Sequence, residues 1–196
     1  MSIATVSRIL SGRRTKQDET AQRVKAVAKE LNYSVNYAAR TLRNDKSYTI
    51  GLLVPNISNP FFSQLAEDVE KAANTTKKQL LICASNQNKV TERQRLSNLL
   101  SRHVDGIIIV PSDENASTAG INAAAKQVPV VQVDQKSKSN MSDWIGIDDA
   151  AAMFDILQHL KDQGAKTVAF FGSTTVNSSG KDRFSSFLSA CNNLHI

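Results

Sequence analysis

From about residue 48 onward, the chain alternates short apolar runs with longer segments in which apolar residues recur every three or four positions. Short runs of Val, Ile and Leu are typical of strands buried on both faces, and the intervening spacing is that of amphipathic helices. The apolar runs are YTIGLLVP (48–55), QLLICAS (79–85), VDGIIIVP (104–111), VPVVQVD (128–134), WIGID (144–148) and TVAFFGS (167–173), and the predicted helices lie at about 61–76, 91–102, 116–126, 150–163 and 180–193. This alternation predicts an α/β fold with a doubly wound parallel sheet covered by helices on both faces.

The first 46 residues show helical spacing and no comparable strand-like run. Ala4, Val6, Ile9 and Leu10 form the apolar face of a short helix, and Gly12 follows as its stop signal. Because so short a helix is marginal in water by itself, it must pack against another segment.

Two further helices are predicted before residue 46. Thr15 and Asp18 resemble a capping box ahead of the first of them. The apolar positions are Val24, Val27, Ala28 and Leu31 in the first, and the segment VNYAARTLRND (35–45) contains the second. The change of pattern near Lys46 predicts two domains, residues 1–46 and residues 47–196.

The positive charge of the chain is confined to its first quarter. The net charge is +6, from 24 Lys and Arg against 18 Asp and Glu. Residues 1–49 contain ten basic and four acidic residues, a difference of +6, so the remainder balances at 14 of each sign. A basic excess in one small domain indicates a polyanionic partner, most commonly nucleic acid, with a solvated basic surface as the alternative.

The sequence carries no recognisable catalytic or metal-binding motif. GxGxxG, P-loop and HExxH patterns are absent, and the three histidines are isolated. Cys83 and Cys191 lie far apart without CxxC spacing, which is typical of core cysteines in a reducing cytosol. No apolar run approaches the ~18 residues of a membrane span, and the N-terminus has no signal-peptide core. We therefore expect a cytoplasmic protein that is not an enzyme, has no membrane partner and uses no metal or other cofactor.

One polar loop after the first strand has the chemistry of a sugar site. The loop NISNPFF (56–62) combines the amide of Asn59 with the rings of Phe61 and Phe62. Hydrogen bonds at the edges and stacking on the faces suit a polyhydroxylated ring. The alternative is that both rings belong to the core at the start of a helix.

Charged residues in other strand-end loops favour the sugar interpretation. In parallel sheets, ligands bind beyond the carboxyl ends of the strands, where Asp134, Asp148 and Arg183 are expected. Carboxylates accept hydrogen bonds from hydroxyl groups, and a guanidinium donates two in a fork.

Several segments, taken in order, resemble the LacI/GalR family of bacterial transcription regulators. They are TVSRILSG (5–12), ELNYSVNYAARTLR (30–43), SYTIGLLVPNISNPFF (47–62) and VDGIIIVP (104–111). The resemblance extends over essentially the whole chain, and the second domain is also similar to periplasmic ribose-binding proteins. It implies a helical DNA-binding head, an effector domain, and a homodimer on a pseudo-palindromic operator.

The resemblance implies that the first helix is the recognition helix of a partial helix-turn-helix. Ile3 and Ala4 then occupy base-reading positions, with Ile3 against a thymine methyl, and Arg8 reaches a guanine edge. The alternatives are that Ile3 packs on a preceding helix and that Arg8 is a solvated charge. Thr5, Ser7 and either Asn32 or Tyr33 are the implied phosphate contacts.

The segment 34–43 resembles the hinge helix of the family. Leu42 is then the apolar wedge that enters the minor groove, Ala39 permits close approach, and Arg43 binds phosphate. Val35 replaces the proline that usually precedes this helix, a departure that loosens its expected start.

The same resemblance assigns the effector contacts. They are Asn59, Phe61, Phe62, Asp134, Asp148 and Arg183. Gln135 stands where pentose-binding relatives carry Arg, which argues against ribose. Compared with the family, the chain lacks the helix before the recognition helix and most of the second lobe, so we expect an incomplete effector domain and a head truncated at its front.

These inferences predict a sequence-specific repressor of sugar-utilisation genes, with operator DNA and a small sugar-like effector as partners. Two alternatives remain within the same family and fold: a non-functional truncated remnant of such a regulator, and a sugar-binding protein without DNA binding. A basic helical head has no use in a transporter's binding protein, and a sugar-modifying enzyme needs a catalytic set that the sequence does not show.

Overall fold

The computed structural model describes residues 1–10, 14–33, 46–172 and 177–196. The chain forms two compact units, residues 1–47 and 48–196, and each is described by itself. None of the helices in the described ranges is long and apolar enough to cross a membrane.

The described part of the first unit contains two helices, α1 (Ile3–Leu10) and α2 (Glu19–Glu30). Ile9 of α1 is buried against Ala21 and Val24 of α2, with Val6 and Leu10 packed beside them. This packing supplies the partner that the short helix α1 requires.

Two details of α2 differ from prediction. The capping box is wrong, because Asp18 is itself the N-cap: its carboxylate accepts the Ala21 N–H at 3.0 Å and pairs with Arg14, while Thr15 lies outside the helix. Val27 and Leu31 are exposed, since α1 covers only the stripe formed by Ala21 and Val24.

Within its described residues, the second unit contains a parallel sheet of five strands with its helices. The sequence predicts such a sheet, but with a sixth strand at residues 167–173. The strands are β1 (Thr49–Val54), β2 (Gln79–Ala84), β3 (Gly106–Ile109), β4 (Val130–Val133) and β5 (Asp143–Ile145). The helices are α3 (Pro60–Thr75), α4 (Lys89–Ser101), α5 (Thr118–Ala125), α6 (Asp149–Asp162) and α7 (Ser178–Leu194). The spatial order is β2-β1-β3-β4-β5, with every neighbouring pair parallel.

Adjacent residues of β1, an interior strand, build two cores on opposite faces of the sheet. Leu53 packs in a cluster with Leu99 of α4 and Ile121 of α5. Leu52 packs in a second cluster with Phe62 of α3. Side chains alternate along a strand, so the continuous apolar run of β1 demands helices on both sides.

Helices α6 and α7 pack on each other through a separate cluster. Leu157 of α6 is buried against Ala190 and Leu194 of α7. This pair positions the first turns of both helices, which carry charged residues discussed below.

The strand predicted at TVAFFGS is wrong for the part that the structure describes, because residues 167–172 form no strand. A strand requires hydrogen bonds to a neighbouring strand, and no strand of the described ranges pairs with this segment. The Phe170 ring instead lies 5.4 Å from Phe184 and 5.3 Å from Phe187, and Phe171 is fully exposed.

Replacing Leu99 by Ala should lower the free energy of unfolding by about 2–5 kcal/mol, because a fully buried side chain would leave a cavity between α4 and the sheet. Urea denaturation followed by circular dichroism measures the change. Leu188→Ala, at an exposed site on α7, is the matched control and should cost less than about 0.5 kcal/mol. Equal losses in the two variants would contradict the assignment of Leu99 to the core.

Candidate functional site

The exposed face of α1 carries the residues predicted to read bases. Ile9 faces α2 and is buried, whereas Ile3, Ala4 and Arg8 are exposed. Ile3 is 89% exposed, so in this structure its side chain packs on no core. The helix therefore presents an apolar residue, a small residue and a guanidinium to solvent.

Three of the predicted phosphate contacts, Thr5, Asn32 and Tyr33, lie near helix ends, and Ser7 lies in the middle of α1. The Thr5 N–H and hydroxyl both bond the Ser2 hydroxyl, at 3.2 and 3.0 Å, at the start of α1, and Ser7 is half-buried. Asn32 closes α2 in the left-handed conformation at φ 47°, and the Tyr33 N–H then donates to the Ala28 carbonyl at 2.8 Å. The exposed side chains of Asn32 and Tyr33 thus lie just past the end of α2. Ala39, Leu42 and Arg43 lie outside the described residues.

In the second unit, the loop after β1 separates the roles of its two phenylalanines. The Asn59 side-chain carbonyl caps α3 by accepting the Phe61 N–H at 3.0 Å. Phe62 is buried in the core, while Phe61 is half exposed and meets Phe62 edge-on at 5.2 Å. Only Phe61 therefore offers a ring face to a ligand.

The loop after β3 is held by two carboxylates. Glu92, which is buried, accepts the Ser112 N–H at 2.6 Å. Asp113 accepts the Ala116 and Asn115 N–H groups at 2.7 and 2.9 Å and pairs with Lys89 at 2.7 Å. Together these bonds lower the pKa of Asp113 to about 2, and the hydrogen bond from the Ala116 N–H contributes most, followed by the bond from Lys89.

Asp134 follows β4 in the left-handed conformation, at φ 63°, which is uncommon for a residue other than Gly. Its carbonyl accepts from the Ser179 hydroxyl at 3.2 Å and from the Trp144 indole at 3.3 Å. Burial raises the pKa of the Asp134 carboxyl, and the Arg183 guanidinium nearby lowers it. Because Arg183 follows Ser179 by one turn of α7, the contact between Ser179 and Asp134 places Asp134 beside the part of the helix that carries Arg183.

The adjacent residues Asp148 and Asp149 have different roles. The Asp148 carboxylate caps α6 by accepting the Ala150 and Ala151 N–H groups at 3.1 and 3.0 Å. Asp149 instead accepts from Arg183 Nε at 2.8 Å, and this bond raises the pKa of the guanidinium. Sequence reasoning placed Asp148 at the site and missed Asp149, since no local signal shows which carboxylate the helix cap uses.

The first turn of α7 is joined to the loops after β3 and β4. Lys181 pairs with Glu114 and Asp182 pairs with Lys136, both at 2.8 Å. The Ser178 hydroxyl also accepts the Lys136 N–H at 2.8 Å. These contacts bring Arg183 to the carboxyl edge of the sheet, and sequence reasoning missed them because their partners are distant in the chain.

Two protein-family models match the chain. "Bacterial regulatory proteins, lacI family" matches residues 1–36, and "Periplasmic binding protein domain" matches residues 50–192. Catabolite control protein A of Staphylococcus xylosus is 36% identical over 173 residues, which cover 88% of this chain and 52% of that protein. The protein of the same name from Priestia megaterium is 34% identical over 175 residues, covering 89% and 52%. The chain spans about half the length of the curated relatives it matches.

Solved structures show the same architecture. The lac repressor dimer bound to operator and the anti-inducer ONPF superposes with a TM-score of 0.88 at 21% identity, covering 100% of this chain and 59% of that one. A periplasmic binding protein/LacI transcriptional regulator from Alkaliphilus metalliredigens in complex with D-xylulofuranose gives a TM-score of 0.66 at 29% identity, covering 76% and 54%. A regulator of the same family from Lactobacillus casei with bound sucrose gives 0.64 at 25% identity, covering 76% and 54%.

The loop after β3 should make stability depend on pH in acid. Because the pKa of Asp113 is lowered from 3.8 to about 2 on folding, its contribution is complete above the unfolded pKa and is lost as the pH falls through about 2. Urea titrations at a series of pH values should show stability decreasing across this window, and Asp113→Asn should flatten the decrease. Asp68→Asn on the exposed surface of α3 is the control, and an equal flattening there would contradict the assignment.

Proposed function

Because the chain belongs to the LacI/GalR family of bacterial regulators, we propose that it is a sequence-specific DNA-binding transcription regulator, a cytoplasmic repressor of sugar-utilisation genes. Residues 1–46 form its DNA-binding domain, and residues 47–196 form an effector domain of the periplasmic-binding-protein type. The observation that carries this proposal is the basic two-helix unit in which α1 exposes Ile3, Ala4 and Arg8.

Charge and exposure support DNA binding by the first unit. The whole net charge of +6 resides in residues 1–49. Such a surface attracts phosphates whatever their sequence, while an exposed helix face with short and apolar side chains can approach base edges. Thr5, Ser7, Asn32 and Tyr33 are proposed to position this helix on the backbone, and Ala39, Leu42 and Arg43 to bind at the centre of the operator. A sugar-binding protein without DNA binding has no need for this unit.

The edge of the sheet supports binding of a small polar effector. Phe61 offers an exposed ring, and Asp134 and Arg183 offer acceptors and donors within one environment. Asn59 and Asp148 cap the helices that frame this edge, and Phe62 supports Phe61 from the core. Related structures hold D-xylulofuranose and sucrose, so a sugar is the proposed ligand class.

A homodimer is the proposed DNA-binding form, in which effector binding and operator binding are coupled. The lac repressor, whose fold this chain shares, is a dimer on its operator. Two copies place two recognition helices one helical turn apart on a pseudo-palindrome, so each half-site contributes to affinity.

Base reading by α1 can be tested with operators selected from a randomised duplex library. Ile3→Ala should reduce the preference for one base pair in each half-site by about fivefold, near the low end of a single-mismatch cost, with non-specific affinity unchanged. Fluorescence anisotropy at fixed salt measures both affinities. Leu31→Ala, a similarly apolar change at an exposed position just after α2, should leave the preference intact. If selection enriches no sequence, or if both variants behave alike, base reading by α1 is wrong.

Effector binding can be tested by calorimetry with uncharged mono- and disaccharides, sucrose and xylulose among them. For whichever sugar binds, Phe61→Ala should weaken affinity about tenfold, because the ring face contributes stacking. Tyr48→Ala removes a comparably exposed ring just before β1, at the opposite end of the strand, and should have no effect. Undiminished binding by the Phe61 variant would remove this ring from the site.

A further inference from the structure

Asp149 and Arg183 are held against each other by the packing of their helices. Asp149 is the first residue of α6, and Arg183 lies in the second turn of α7. The two helices share a buried cluster that includes Leu157 and Ala190. Asp148 supplies the N-cap of α6, so the Asp149 carboxylate is left to accept from Arg183 Nε at 2.8 Å. The Asp149 side chain is only 17% exposed, which limits its access to other hydrogen-bond donors, including water.

The Asp134 carbonyl accepts from the Ser179 hydroxyl at 3.2 Å, and Arg183 follows Ser179 by one turn of α7, so Asp134 lies beside the part of the helix that carries Arg183. Asp134 nevertheless forms no ion pair with Arg183. The only ion pair of Arg183 among the described residues is the one with Asp149. Burial raises the pKa of the Asp134 carboxyl above its usual value; the charge of Arg183 and a hydrogen bond with the Gln135 side chain oppose this rise, and the charge of Asp149 adds to it. An unrestrained guanidinium beside a half-buried carboxylate would form a bidentate pair and satisfy both groups.

We propose that Asp149 is a positioning residue, which engages the Arg183 Nε–H and keeps the guanidinium apart from Asp134, so that both groups stay open to an uncharged, polyhydroxylated ligand. The remaining N–H groups of Arg183 donate to hydroxyl oxygens, and the Asp134 carboxylate accepts hydroxyl hydrogens. This inference rests on the effector site proposed above and names the class of its ligand.

The charge around this site disfavours phosphorylated or acidic ligands. Asp134, Asp149 and Arg183 together carry a net charge of −1 when ionised. The two lysines that flank them in the loops and in α7, Lys136 and Lys181, are each paired with an acid at 2.8 Å. A phosphate would therefore meet two carboxylates and would have to break existing ion pairs to gain a cation.

The positioning role can be tested on the ligand-free chain by heteronuclear NMR of the Asp134 carboxyl and the Arg183 Nε–H. Asp149→Asn removes a charge but keeps an oxygen that can accept the Nε–H, so the pKa of Asp134 should fall modestly and the Nε–H signal should persist. Asp149→Ala also releases the guanidinium, which should pair with Asp134, lower its pKa further and move the Nε–H signal. Equal Asp134 pKa values in the two variants would mean that Asp149 acts only through its charge, and this would overturn the proposal.

A control substitution checks that the response is local. Asp68 contributes to an exposed ion pair with Lys71 on α3, at 3.7 Å, and Asp68→Ala should leave both signals unchanged. Circular dichroism spectra that match the wild type confirm that each variant is folded. If Asp149→Ala unfolds, Asp149→Asn still tests the proposal, because an unchanged Asp134 pKa in that variant overturns it.

The ligand class is tested with the same Arg183 signal. Glucose, sucrose and xylulose are compared with glucose phosphate and inorganic phosphate. An uncharged sugar should shift the signal saturably, and the phosphorylated form should bind about tenfold more weakly or less. Saturable binding of inorganic phosphate or preferential binding of glucose phosphate would overturn the ligand class. If no sugar shifts the signal, the effector function itself fails, whereas the variant comparison still decides the role of Asp149.

Discussion

Burial of β1 on both faces is the constraint on which the second unit depends. Leu52 and Leu53 are adjacent and fully buried, and because their side chains point in opposite directions, each needs its own layer of helices. Parallel strands connected by these helices leave all their carboxyl ends at one edge. The loops that follow β1, β3 and β4 therefore converge there. The gathering of their polar residues at one edge is thus a consequence of burying β1 on both faces.

At that edge, most charged groups are neutralised by partners from other elements. Lys181 pairs with Glu114 and Lys136 pairs with Asp182, so α7 is attached to the loops by contacts that a ligand can rearrange at little cost. Among the described residues at this edge, the half-buried Asp134 carboxyl forms no direct ion pair, and its side-chain hydrogen-bond partner is Gln135. A site with many paired charges and a carboxylate outside those pairs is suited to recognise hydroxyl groups through geometry and not through net charge.

The first unit relies on a much smaller core. Of the residues that the structure describes in this unit, Ile9, Ala21 and Val24 form the buried cluster, and they hold α1 with its opposite face in solvent. Exposing Ile3 has no benefit for folding, because an isolated apolar side chain gains nothing from water. Its position on a basic unit is consistent with a surface built for contact, in agreement with the DNA partner that we propose.

The sequence alone determined the strand and helix alternation, the confinement of positive charge to the first quarter, and the family, because period, charge count and ordered motifs are local properties. It also placed Asp134 in the loop after β4, whereas Arg183, which was expected in a strand-end loop, lies in the second turn of α7. Tertiary structure alone decided that Phe62, and not Phe61, belongs to the core. It also decided that Asp148 caps α6 while Asp149 contacts Arg183, and that residues 167–172 form no strand. These outcomes depend on neighbours supplied by distant segments, for burial, for a helix end or for backbone hydrogen bonds, and no local pattern encodes such neighbours.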